Sequence, residues 1–139
     1  MSLAIFIDTG MFYALQNVQD EKHPAAKDII GRIHKGQYGQ AFTSDYVVDE
    51  AVTLVHARTK NRFESQLMLD KLLNSPSVFE IINVTENDFY EAAHEYKKCD
   101  SLSFTDASTL ALMRKHRISH LASFDNGFLK VKDIHVISR

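Results

Sequence analysis

Leu3-Ala4-Ile5-Phe6-Ile7-Asp8-Thr9-Gly10 is the stretch on which the reading of this chain turns. A short unbroken apolar run leaves no polar face for solvent. It marks a strand covered on both sides, as in a parallel sheet flanked by helices. The run stops at an acid, a hydroxyl and a glycine, so a carboxylate stands directly beyond the C-terminal end of a buried strand. A lone acid in that position needs a partner or a metal.

Outward from that strand, helical and extended patterns alternate. Met11 to Asn17 is amphipathic, and Pro24 suits the first turn of a helix running through Ile29, Ile30 and Ile33 towards Gly36. Gln40 to Thr43 is a brief strand, after which Ser44 caps a helix with the stripe Val47, Val48, Ala51, Leu54 and Val55. Asn61 caps a further helix carrying Phe63, Leu67, Leu69, Leu72 and Leu73, closed by Asn74-Ser75-Pro76. Val78 to Val84 reads as a strand. Thr85 and Asp88 have capping-box spacing and open a helix reaching about Lys98; Ser103 and Asp106 repeat that spacing before Ala107 to His116. His120 to Phe124 is another strand, stopped by Asp125-Asn126-Gly127, and Ile134 to Ile137 is a last edge strand. The expectation is an α/β/α sandwich in three layers, with a central parallel sheet of four to five strands.

No linker, repeat or low-complexity tract interrupts the 139 residues, so residues 1–139 read as one domain with room for a hydrophobic core. Apolar residues at 45% and charged residues at 24% exclude a disordered chain. A formal charge of −2 excludes a global basic field for holding nucleic acid. A polyanion site here must use local positive patches or cations recruited by carboxylates. Cys99 is the only cysteine, which rules out an internal disulfide and suits a reducing cytoplasm. No apolar run spans a bilayer, and the start at Met1-Ser2-Leu3-Ala4 lacks a charged leader, so the expectation is an unprocessed cytoplasmic protein without membrane contact.

Ligand sites in parallel sheets form beyond the C-terminal strand ends, where strand order reverses. Asp8 follows the first strand and Asp125 the fourth. Asp106 stands in the first turn of a helix, where the dipole favours the ionised form. Glu50 lies one to two turns into the helix after the second strand. If the first and fourth strands are neighbours, these four acids converge on one sheet edge. Crowded carboxylates repel unless cations neutralise them. Hard divalent cations with oxygen ligands do so, keep coordinated water, and accept phosphate oxygens. Each acid also has a plainer reading: Asp106 as a cap for Ser103, Asp125-Asn126-Gly127 as a turn, Glu50 as a solvated helix residue. A helical wheel does not choose between Asp49 and Glu50.

Four segments, in order, resemble the PIN-domain family and its VapC-type toxin ribonucleases. Ile5-Phe6-Ile7-Asp8-Thr9-Gly10 resembles the opening strand that ends in Asp and a hydroxyl residue. Thr43-Ser44-Asp45-Tyr46-Val47-Val48-Asp49-Glu50 resembles the segment carrying the family's helical Glu. Leu102-Ser103-Phe104-Thr105-Asp106-Ala107 and Leu121-Ala122-Ser123-Phe124-Asp125-Asn126-Gly127-Phe128 resemble the segments with the third and fourth acids. The resemblance implies that Asp8, Glu50, Asp106 and Asp125 are catalytic, metal-binding acids. Thr9 is implied as a supporting hydroxyl, and Ser123 stands where Thr is common. It also implies a Mg²⁺- or Mn²⁺-dependent endoribonuclease, a toxin acting on RNA, with a cognate antitoxin and a homodimeric assembly. The competing class is a PIN fold that binds RNA or protein with little or no cleavage.

Other motifs carry less. Asp8-Thr9-Gly10 is also the tripeptide of aspartic proteases, but that fold is nearly all β. A haloacid-dehalogenase-type phosphatase needs a second Asp where Gly10 stands. Seven histidines show no His-Glu-x-x-His pattern, so a zinc site is not expected. Arg58, Lys60 and Arg62 form a local basic cluster and a candidate phosphate contact; Arg114-Lys115-His116-Arg117 forms another. Phe12, Tyr13 and Leu15 suit either the core or a dimer interface.

Overall fold

The computed structural model describes residues 3–139, so the expectation for Met1 and Ser2 lies outside the described residues. The apolar run forms β1 (Ala4–Ile7), and Ile5, Phe6 and Ile7 retain no exposed surface. Burying each such side chain stabilises the fold by roughly 1.5–3 kcal/mol, which selects against polar residues until position 8. β1 pairs in parallel with β2 (Gln40–Ser44) on one side and β4 (His120–Ala122) on the other. β3 (Glu80–Ile82) extends the sheet beyond β2, and β5 (His135–Ile137) extends it beyond β4. The order is β3-β2-β1-β4-β5, with every strand parallel.

The connections are helical. α1 (Thr9–Gln16) and α2 (His23–His34) join β1 to β2, and α3 (Asp45–Thr59) and α4 (Arg62–Leu73) join β2 to β3. α5 (Glu86–Lys98) and α6 (Phe104–Lys115) make the crossover from β3 back to β4. Successive crossovers run one way along the sheet and then reverse, and parallel crossovers are right-handed. The reversal therefore sets α5 and α6 on the opposite face from α1 to α4, which gives the third layer. It also puts the switch in strand order between β1 and β4, beside Asp8.

Local chemistry sets the element starts as expected. Ser44 Oγ accepts from Val47 N–H and Asn61 Oδ1 from Glu64 N–H. Thr85 with Asp88 and Ser103 with Asp106 form complete capping boxes. Several boundaries differ from expectation. α1 begins at Thr9, because Asp8 occupies the N-cap position. β3 is shorter than 78–84, since the Val78 N–H is drawn into a turn on the Ser75 carbonyl and the Val84 N–H donates to the Asp45 carboxylate. β4 stops at Ala122, short of Phe124: Ser123 N–H still donates to Ile137 O, but the Ser123 hydroxyl then turns the chain into the loop bearing Asp125. The apolar face of α4 is also different. Phe63 and Leu73 are largely exposed, and Ser65, Met68 and Leu72 face the core.

Phe12 and Tyr13 are buried in the core, and Leu15 lines an apolar cleft of about 230 Å³ with Ile30, Met68 and Phe79. Among the described residues, no helix is long and apolar enough to cross a membrane.

Candidate active site

The β1–β4 pairing aligns Ile7 with Ala122, and Asp8 N–H donates to the Ala122 carbonyl. Strand ends that are fixed side by side bring their following residues together. Asp8, Asp106 and Asp125 each offer a carboxylate oxygen, and these oxygens lie within 4.8 Å of one another. Asp8 and Asp106 are buried and Asp125 is exposed.

Each acid is held by named groups. Ser123, buried just past β4, donates its hydroxyl to Asp8 Oδ2 at 2.7 Å and accepts the Asp125 N–H at 3.0 Å. Asp106 Oδ2 accepts the Ser103 N–H at 3.2 Å, while Ser103 Oγ accepts the Asp106 N–H. The cap and site readings of Asp106 are therefore compatible, because the residue that closes the capping box also stands in the group of three. Asp125 Oδ1 accepts the Gly127 N–H at 2.8 Å, so this residue too is both a turn former and a member of the group.

Electrostatics make the arrangement costly without a cation. Burial pushes the Asp8 carboxyl up from its ordinary 3.8 to about 6, against hydrogen bonds from Ser123 and Thr9, and the charges of Glu50 and Asp125 add to the rise. Burial first, and then the Asp8 charge, push Asp106 up to about 8. Asp8 Oδ1 is buried with no hydrogen-bond partner. An unsatisfied buried oxygen costs about 1–3 kcal/mol, more when charged. An acidic oxygen set with one member left bare fits a hard divalent cation.

Glu50 stands outside the group of three. It is half-buried on α3, and its charge reaches Asp8, whereas Asp49 is exposed. The structure thus separates the two acids that the helical wheel does not. The Thr9 hydroxyl is buried in the first turn of α1 without a partner.

The basic residues divide. Arg58 lies at the far end of α3 from Asp45, with its guanidinium 4.7 Å over the Tyr13 ring. Lys60 takes the left-handed C-cap position at φ 54°, and Arg62 begins α4; all three are exposed. In the other cluster, Arg114 pairs with Glu95 and Asp133, and Lys115 pairs with Asp88. Those charges are already neutralised within the fold. His120 stacks on His135, with ring centroids 5.1 Å apart.

Sequence reasoning does not single out Ser101. Its hydroxyl donates to the Gly127 carbonyl, 26 positions away, at 2.9 Å. No local pattern signals a bond of that span.

The PIN domain family model matches residues 5–134. The chain belongs to the PIN domain family. Among curated PIN relatives, the chain is 29% identical over 126 residues to the 23S rRNA-specific endonuclease VapC20 of Mycobacterium tuberculosis. The match covers 89% of this chain and 91% of that protein. It is 25% identical over 132 residues to a VapC ribonuclease of Archaeoglobus fulgidus, covering 91% of this chain and 80% of that protein. The crystal structure of VapC20, described as a sarcin-ricin loop cleaving toxin, superposes with a TM-score of 0.76 at 30% identity, over 90% of this chain and 92% of that one. VapBC2 of Rickettsia felis, solved bound to a promoter DNA fragment, shares the fold with a TM-score of 0.71 at 13% identity, over 97% of this chain and 98% of that one.

Proposed function

We propose that this PIN domain is a divalent-metal-dependent endoribonuclease, the toxin of a toxin–antitoxin pair. The observation that carries the reading is the convergence of Asp8, Asp106 and Asp125 at the strand-order switch, with Asp8 Oδ1 buried and unpartnered. Kinship with a 23S rRNA-specific endonuclease and a VapC ribonuclease supports the reaction class and makes a ribosomal RNA loop the first substrate to test.

Asp8, Asp106 and Asp125 would hold the ion, Mg²⁺ or Mn²⁺, directly or through water. Bound there, such an ion supplies positive charge for the phosphate oxygens and lowers the pKa of coordinated water. The protein's own contribution is orientation. Ser123 fixes the Asp8 carboxylate and the start of the Asp125 turn together, so two ligands from distant parts of the chain share one anchor. Ser103 fixes Asp106 through the capping box. Glu50, half-buried on α3, would bind a second ion or orient the attacking water. Thr9 would support the site with its free hydroxyl. Arg58, Lys60 and Arg62 would contact the RNA backbone outside the acidic centre, where a net-negative protein has exposed positive charge to offer. An antitoxin protein and a second copy of the chain are the accompanying partners, the second testable by sedimentation.

The test is cleavage of an end-labelled mixed-sequence RNA and of a ribosomal RNA loop, with Mg²⁺, with Mn²⁺ and with EDTA, wild type beside Asp8→Asn. Wild type is expected to cut in either metal and stop in EDTA. Asp8→Asn is expected to be inactive with an unchanged circular dichroism spectrum. Wild-type activity in that variant, with no co-purifying nuclease, overturns the site. A folded wild type that cuts neither RNA favours the RNA- or protein-binding module instead.

A further inference from the structure

Of the three clustered acids, only Asp125 is exposed. Next to two other carboxylates, an exposed one swings towards water unless something holds it. The hold on Asp125 extends beyond its own turn. Its Oδ1 accepts the Gly127 N–H at 2.8 Å, and the carbonyl of the same Gly127 accepts the Ser101 hydroxyl at 2.9 Å. The Cys99 thiol lies 3.2 Å from Ser101 Oγ. Because the single Ser101 proton is committed to Gly127, the thiol is the donor. The loop before α6 therefore grips the Asp125 turn through a chain of three hydrogen bonds.

The approach is also sterically exclusive. A Cβ placed on Gly127 would lie 2.4 Å from the Ser101 carbonyl oxygen and 3.1 Å from Asp125 Oδ1. The nearest atom is backbone and cannot rotate away, so any larger residue forces the two loops apart and moves the carboxylate.

We propose that Ser101 and Gly127 are positioning residues that latch the Asp125 carboxylate in place for the metal. The inference rests on the metal-site reading above, which the bare, buried Asp8 Oδ1 supports independently of this loop. Both residues act through Asp125. Breaking the latch therefore loosens the metal without disturbing the sheet, and it leaves Asp8, Ser123 and Asp106 as they are.

The test measures Mn²⁺ binding to the full chain by calorimetry, with melting in EDTA as the structural control. The proteins are wild type, Ser101→Ala, Ser101→Thr, Gly127→Ala and Asp125→Asn. Losing a group that orients a metal ligand weakens metal binding by about 10–100-fold. Ser101→Ala is expected to fall in that range with its EDTA melting temperature little changed, and Ser101→Thr, which keeps the hydroxyl, to recover most of the affinity. Gly127→Ala is expected to be weaker still, approaching Asp125→Asn; if it fails to fold, the two Ser101 variants decide. Unchanged affinity in Ser101→Ala, with wild type binding normally, overturns the latch and leaves the metal site standing. Wild type that takes up no Mn²⁺, like Asp125→Asn, overturns the metal site and the latch with it.

Discussion

Replacing Asp8 by Asn is expected to make the metal-free protein more stable, and by an amount that depends on pH. Folding raises the Asp8 carboxyl from 3.8 to about 6. At about 1.36 kcal/mol per pKa unit, that displacement corresponds to about 3 kcal/mol. The sign follows from proton binding. The folded state holds the Asp8 proton more tightly than the unfolded chain, so folding is favoured at low pH, and the advantage is lost as pH rises from about 4 through about 6. Asp106, pushed up to about 8, extends the loss to higher pH. The amide is isosteric and uncharged. Its oxygen still accepts from Ser123, and its N–H₂ replaces the unpartnered Oδ1 with a donor facing acceptor carboxylates. In EDTA at pH 7.5, Asp8→Asn should gain about 1–3 kcal/mol, or about 3–10 °C in melting temperature for a chain of this length. At pH 4 the two proteins should melt within about 2 °C of one another, because both sites are then neutral. Calorimetry across that range, with and without Mn²⁺, is the assay. Metal at 100 times its Kd should add about 2.7 kcal/mol to wild type and little to the variant. A variant that melts below wild type at pH 7.5 in EDTA, or a gap independent of pH, refutes the argument.

Two further outcomes are expected. Neutralising Arg58 and Arg62 as Arg58→Gln and Arg62→Gln should weaken RNA binding without abolishing cleavage. For each arginine that neutralises a phosphate, its removal should lower the slope of log affinity against log salt by about 1, and an unchanged slope removes these residues from the RNA surface. Gly39→Ala should destabilise the fold by about 1–3 kcal/mol in denaturant titration, because Gly39 sits at φ +77° and a Cβ there would lie 2.1 Å from the Leu3 carbonyl oxygen. A neutral result would mean that the chain ahead of β1 yields freely.

The parts of the fold that could be read in advance are those whose chemistry is local. β1 announces itself because an apolar run from Leu3 to Ile7 ends abruptly in Asp8. The starts of α3, α4, α5 and α6 are written in Ser44, Asn61, Thr85 and Ser103, each of which bonds its expected N–H. Features set by distant parts of the chain are not legible. Phe63 looks like a core residue by hydropathy, yet it is 67% exposed, because the orientation of α4 is fixed by Met68 and Leu72 against the rest of the fold. Val78 and Val84 look extended, but a turn at Ser75 and the Asp45 carboxylate claim their N–H groups. In the site, Asp8 stands out by position alone. Asp106 and Asp125 present an either-or choice in the sequence. In three dimensions each makes its cap or turn bond and also stands in the group of three. Periodicity does not separate Glu50 from Asp49; the family resemblance points to Glu50, and in the fold Glu50 is the half-buried one of the two. Ser101 is found only by a hydrogen bond across 26 residues.

The bond between Ser123 and Asp8 joins positions 115 apart, and it sits where β4 docks beside β1. Asp8 belongs to the first strand made, and Asp125 lies beyond the fourth. A chain emerging from the ribosome can pair β1 with β2 early, but its acids stay separated until β4 arrives. Pairings of such long sequence separation form late in folding. A truncated chain that ends before residue 120 therefore holds Asp8 without Ser123 or Asp125, however well its helices form. The order of strands acts as a timer. The acidic group is complete only once β4 has docked beside β1.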